Sequence, residues 1–142
     1  MAIVQIPKKE FSLDFGISEI KATIEKIVAV SKARYQIKTK NDLINSYTIV
    51  ILSGMTFVNL EILLNKVEDK KTQCSFQVIT PANTASEAER FGKYTDQFLT
   101  LLSKGLLGEE ITNDLVKETK SGCLGIAIIL VSLSTLLTYY LF

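Results

Sequence analysis

Residues 122–142, GCLGIAIILVSLSTLLTYYLF, contain no Asp, Glu, Lys, Arg, His, Asn, Gln or Pro. No other stretch constrains this chain so tightly. As a helix of about 1.5 Å rise per residue the run is roughly 31 Å long, the thickness of a bilayer's hydrocarbon core. A buried helix of a soluble core normally keeps a polar stripe, and this run has none wide enough. Its polar groups are the hydroxyls of Ser132, Ser134, Thr135, Thr138, Tyr139 and Tyr140. Ser and Thr hydroxyls can bond back to helical carbonyls, so lipid tolerates them. Tyr139 and Tyr140 fall near the far end, where amphipathic rings favour the headgroup level. The expectation is a C-terminal transmembrane helix over 122–142.

The flanks set its expected orientation. Lys117 and Lys120 precede the run, and no Lys or Arg follows it. The positive-inside tendency keeps the Lys side cytoplasmic. The chain is therefore expected to be a single-pass membrane protein with its N-terminal domain in the cytoplasm. Ser121 and Gly125 have small-xxx-small spacing, and Ser132 and Thr135 continue roughly the same face. These four residues form a candidate packing face for another helix in the membrane.

Everything charged lies ahead of this run, as 16 basic and 15 acidic residues. A near-neutral soluble part argues against nucleic acid, which demands a concentrated basic surface. Met1 to Ile6 is apolar but too short for a secretory signal, and Lys8, Lys9 and Glu10 follow at once. Cys74 and Cys123 occupy different environments and are not expected to pair. The expected division is a soluble domain over 1–108, a polar tether or short helix over 109–121, and the membrane helix over 122–142.

Within the first part, Lys9 to Phe15 alternates polar with apolar, with Phe11, Leu13 and Phe15 on one side, and predicts a strand. Gly16 breaks it. Ile17, Ile20, Ile24, Ile27 and Val28 then recur at helical spacing over Ile17 to Ser31, with Ser18 as expected N-cap. Four strand-like runs follow, at Arg34 to Lys40, Ser46 to Leu52, Thr56 to Lys66 and Thr72 to Thr80. Tyr35, Ile37 and Thr39 share one expected face of the first. Ser53-Gly54 and Glu68 to Lys71 mark turns between later runs. Short loops predict an antiparallel meander. Thr84-Ala-Ser-Glu87 reads as a capping box. A helix carrying Ala88, Phe91, Tyr94, Phe98, Leu101 and Leu102 on one stripe follows it, with Gly105 and Gly108 as its stop.

The expected fold class is α+β, a two-layer β-α-β-β-β-β-α domain whose antiparallel sheet is covered by two helices, plus the C-terminal transmembrane helix. In element order and length, from about Lys9 to Gly105, it resembles one repeat of the TATA-binding-protein-like fold, or a shortened helix-grip domain. No sequence motif of either family occurs, so the resemblance implies a layout and carries over no functional residue.

The chemistry-bearing residues point away from catalysis. The chain has no His, the usual general base near neutral pH and the commonest metal ligand. Two distant Cys cannot make a zinc site. Cys74, on an apolar strand face, reads as a core residue. Glu109, Glu110 and Asp114 read as a solvated acidic face. No catalytic residue, metal ligand or cofactor is expected. Several strands carry apolar residues on both faces, whereas an open antiparallel sheet normally turns a polar face to water. Val50, Leu52, Phe57 and Leu63 oppose the core-side positions and form the candidate interaction face. A protein partner, a second copy, a lipid or the folded-over N-terminus Ala2 to Ile6 could cover it. The leading functional expectation is a non-enzymatic interaction domain held at a membrane bilayer, binding a protein partner or forming a homo-oligomer. The alternatives are a carrier of a lipid-like or small apolar ligand, and an accessory subunit of a membrane complex.

Overall fold

Among the described residues, alternation of period two, interrupted by Gly and Asn turns, yields five strands, and helical periodicity yields three helices. The computed structural model describes residues 4–6 and 8–121, with side chains described as far as Lys117. In chain order the elements are β1 (Lys9–Leu13), α1 (Ile17–Val30), β2 (Tyr35–Asn41), β3 (Ser46–Ser53), β4 (Thr56–Glu68), β5 (Lys71–Val78), α2 (Ala85–Leu106) and α3 (Asn113–Ser121). The strands form one antiparallel sheet in the order β1-β5-β4-β3-β2. The α+β class, the element order and the two main helices are those expected from the sequence.

One face of the sheet carries the core. Tyr47, Ile49 and Ile51 of β3, Val58, Leu60, Ile62 and Leu64 of β4, and Cys74 and Phe76 of β5 are all buried. Registers such as Ile62↔Phe76 and Ile49↔Leu60 stack them across the strands, the pairing through which a sheet gains most of its stability. α1 contributes Ile20, Ile24 and Ile27, and α2 contributes Phe91, Phe98, Leu101 and Leu102. The rings of Phe98 and Tyr35 meet edge to face at 5.1 Å, and Phe76 lies 6.2 Å from Phe98, within the usual range for attractive aromatic pairs.

Several local expectations are corrected. α1 starts two residues earlier than Ser18 implies. Its N-cap is Gly16, whose carbonyl accepts from the Ile20 N–H at 3.2 Å. A side chain at Gly16 has little room, because a Cβ there would sit 3.0 Å from the Asp69 carbonyl oxygen. Thr39 does not share a face with Tyr35 and Ile37. A register shift between Ile37 and Thr39 places Thr39 opposite Thr48 and turns Lys40 to the Tyr47 side. Such a bulge reverses the facing of every later residue. Thr84 does cap α2, accepting from the Glu87 N–H at 3.1 Å.

Gly105 is not the stop of α2 but lies inside its last turn, and Gly108, with φ +93°, follows the helix. A Cβ at Gly105 would fall 2.6 Å from Thr23 Cγ2 and 3.3 Å from Ile111 Cδ1. Glycine here lets α2, α1 and the segment just ahead of α3 approach closely. Gly105→Val is therefore expected to cost about 1–3 kcal/mol through overpacking, read as a lower denaturation midpoint of the full chain in detergent.

Residues 109–121 contain more structure than a tether. Thr112 Oγ1 accepts from the Leu115 N–H at 3.1 Å at the start of α3, and Ile111, Leu115 and Val116 are buried in the common core. The described part of the N-terminal segment, Val4 to Ile6, does not fold over the open face. Val4 donates to the Ala82 carbonyl at 3.0 Å, continuing the β1 edge, and Val4 and Ile6 pack against the core. Ala2 and Ile3 lie outside the described residues. So does the expected membrane helix over 122–142; among the described residues no helix is long and apolar enough to cross a membrane.

Candidate functional site

The second face of the sheet has no described helix on it, so its side chains decide what it can bind. Most are polar. Asn59 and Glu61 of β4 alternate with the buried positions, as do Gln73, Ser75 and Gln77 of β5. Such residues remain hydrated and need no cover. The exception is one corner. Leu52 and Phe57 are direct cross-strand partners beside the β3–β4 turn, and Val50 lies two residues back on β3, opposite Asn59. Val50 and Leu52 are half-buried, whereas Phe57 is 64% exposed.

Ile79 joins them. Its N–H donates to the Asn59 carbonyl at 2.9 Å, which extends the β4–β5 pairing by one residue. Alternating with the buried Val78, it turns to the open side and is 45% exposed. The sequence contained this signal, since Ile79 continues the row Gln73, Ser75, Gln77. Met55, at the adjoining turn, is 98% exposed. Leu63 stands apart from the cluster. It faces Ser46 on one side and Ser75 on the other, with the Thr48–Glu61 pair between it and Val50. Thus Val50, Leu52 and Phe57 come together and Leu63 does not. Of the candidate packing face in the membrane run, Ser121 ends α3, and Gly125, Ser132 and Thr135 lie outside the described residues.

The apolar corner is braced from beneath by a buried cation. Arg34 is 6% exposed. One of its guanidinium nitrogens donates to the Leu52 carbonyl at 2.7 Å, and another to Gln97 Oε1 of α2 at 2.9 Å. The guanidinium also lies 4.8 Å from the centre of the Tyr94 ring, close enough for cation–π attraction. Tyr94 Oη donates to Ser53 Oγ at 3.0 Å. The end of β3 is thereby fixed to α2 by two polar bridges, which hold the backbone carrying Leu52 in place.

Several other charged pairs join separate segments instead of converging on a cleft. Lys9, on the core side of edge strand β1, pairs with Asp96 of α2, and its partial burial lowers its pKa. Lys21 of α1 pairs with Asp42 at 3.2 Å, and Lys40 of β2 with Glu25 of α1. Burial raises the Tyr47 hydroxyl, with the Glu25 charge adding to the effect. Burial also pushes the Cys74 thiol up to about 12. At neutral pH it stays protonated and unreactive, as a core residue should. Among the described residues no cluster of His, Cys, Asp and Glu could hold a metal ion.

No protein-family model matches the chain, and neither does any curated protein. The open face is a mostly polar sheet with one apolar corner braced by Arg34.

Proposed function

We propose that this protein is a non-enzymatic binding domain anchored in a membrane. Residues 122–142 cross the bilayer, and the domain on their Lys-flanked side offers the open sheet face to a protein partner. The observation that carries this reading is the corner formed by half-buried Val50 and Leu52 with exposed Phe57 and Ile79, on a sheet face that the described helices leave uncovered. Exposed aromatic and aliphatic side chains grouped on a rigid support are the usual core of a binding patch. Anchoring raises the domain's effective concentration for partners in the same membrane. The polar remainder of the face supplies a hydrated rim.

A carrier of lipid-like ligands would hold its cargo between the sheet and α2. Packed rings of Tyr35, Phe76 and Phe98 occupy that space, so the binding-face reading is preferred.

The test is affinity capture of the full-length protein from detergent-solubilised native membranes. Phe57→Asp is expected to weaken the complex by about thirtyfold or more, the scale of a hot spot near 2 kcal/mol. It should leave the denaturation midpoint unchanged, since the ring is largely exposed. Leu63→Asp, outside the corner, is expected to have a much smaller effect. A complex that survives Phe57→Asp at full strength contradicts the reading.

A further inference from the structure

Turn residues are ordinarily small or polar, because a turn lies in water and its backbone needs local partners. The β2–β3 turn breaks that pattern at its tip. Asn41 Oδ1 accepts from the Leu43 N–H at 3.0 Å, and Asn45 adopts the left-handed conformation with φ 52°. Between these two turn-forming Asn residues stand Leu43, 95% exposed, and Ile44, 58% exposed. Neither contributes to the core. From this placement, and resting on the reading that residues 122–142 span the bilayer, we infer that Leu43 and Ile44 insert into the surface of that same bilayer.

The topology puts the tip where this requires. In the meander, the β2–β3 and β4–β5 turns lie at one end of the sheet and the β3–β4 turn at the other. Val67, beside the β4–β5 turn, is also exposed. The Lys21–Asp42 pair ties α1 to the β2–β3 turn. Gly105 of α2 lies against Thr23 of α1 and against Ile111, just ahead of α3. The α2–α3 junction is therefore at the same end as the tip. α3 has 9 residues, so it carries the chain no more than about 14 Å from that junction. The apolar run begins at the next residue, Gly122. Because Leu115 and Val116 anchor α3 in the core, no loose linker separates domain from membrane, and the end bearing Leu43 and Ile44 is held near the lipid.

The contact is apolar in kind. The two exposed side chains are uncharged, and three lysines nearby pair within the protein, Lys21 and Lys40 with Asp42 and Lys66 with Asp69. Anionic lipid should therefore not be needed, unlike for polybasic segments.

The test uses the full-length protein with Cys123→Ser, carrying an environment-sensitive fluorophore on either Ile44→Cys or Met55→Cys. Both positions are exposed, and the buried Cys74 thiol resists labelling. The protein is reconstituted into phosphatidylcholine vesicles, and flotation reports whether it is membrane-bound. With the protein floating, the probe at 44 is expected to shift to the blue. It should also be quenched several-fold more by nitroxide-bearing lipid than the probe at 55, which marks the opposite end of the sheet. Equal quenching, or stronger quenching at 55, overturns the inference while leaving the membrane span intact. A protein that does not float overturns the span and this inference with it.

Discussion

Phe98→Ala is expected to lower the stability of the domain by about 3–5 kcal/mol, the cost of deleting a fully buried aromatic side chain. Phe98 is wholly buried on α2 and touches the rings of Tyr35 and Phe76. It thus joins the helix layer to two strands, β2 and β5, that do not neighbour each other. Neither can collapse into the vacated space without distorting the sheet. Domains of this size are stable by only about 5–15 kcal/mol, so the variant should lie close to unfolding at ambient temperature. Denaturant titration of the full chain in detergent, followed by the near-ultraviolet circular dichroism of its tyrosines, reads the effect. Phe98→Leu, which keeps most of the volume, is expected to retain the greater part of the lost stability. A midpoint for Phe98→Ala within 1 M urea of wild type, about 1–3 kcal/mol at typical slopes, would place the core's centre elsewhere.

Arg34→Met is expected to cost about 2–4 kcal/mol. The change keeps much of the side chain's apolar stem but removes the donors that serve the Leu52 carbonyl and Gln97. A buried acceptor that loses its partner costs about 1–3 kcal/mol, and the attraction to the Tyr94 ring is lost as well. Arg34→Lys should recover only part, since an ammonium group cannot donate along the same fork. The loss should also show locally. Amide hydrogen exchange from Leu52 to Phe57 is expected to accelerate in Arg34→Met, because the bridge secures the strand end that bears the apolar corner. Unchanged stability together with unchanged exchange would show that Arg34 does not brace that corner.

The legibility of these features in the sequence followed their periodicity. β3, β5 and β4 as far as Lys66 alternate without a break, so their buried faces were readable residue by residue. α2 was readable from its apolar stripe and from Thr84. Periodicity fails where one residue changes the register, and the bulge after Ile37 therefore hid the facing of Thr39 and Lys40. It also fails for charged residues that the fold buries. Arg34 opens the run expected as the second strand, and nothing local marks it for burial; only the arrival of α2, some sixty residues later in the chain, makes it a brace. Lys9 shows the same limit, because its partner Asp96 lies on α2. Gly105 was recognisable as a special position, but both a helix stop and a close approach call for glycine. The candidate face was legible in composition and not in contiguity. Leu63 has the right parity and the wrong place along β4, while Ile79, inside the expected Thr72 to Thr80 run, has the right parity but follows the polar row Gln73, Ser75, Gln77, so parity alone does not join it to Phe57.

The proposed function depends most on the fate of residues 122–142, an uncharged apolar run. Alkaline carbonate extraction of membranes from cells making the full-length protein tests this directly. The protein is expected to remain in the pellet with integral membrane proteins. Quantitative release into the supernatant, as a monodisperse species without detergent, would contradict the account.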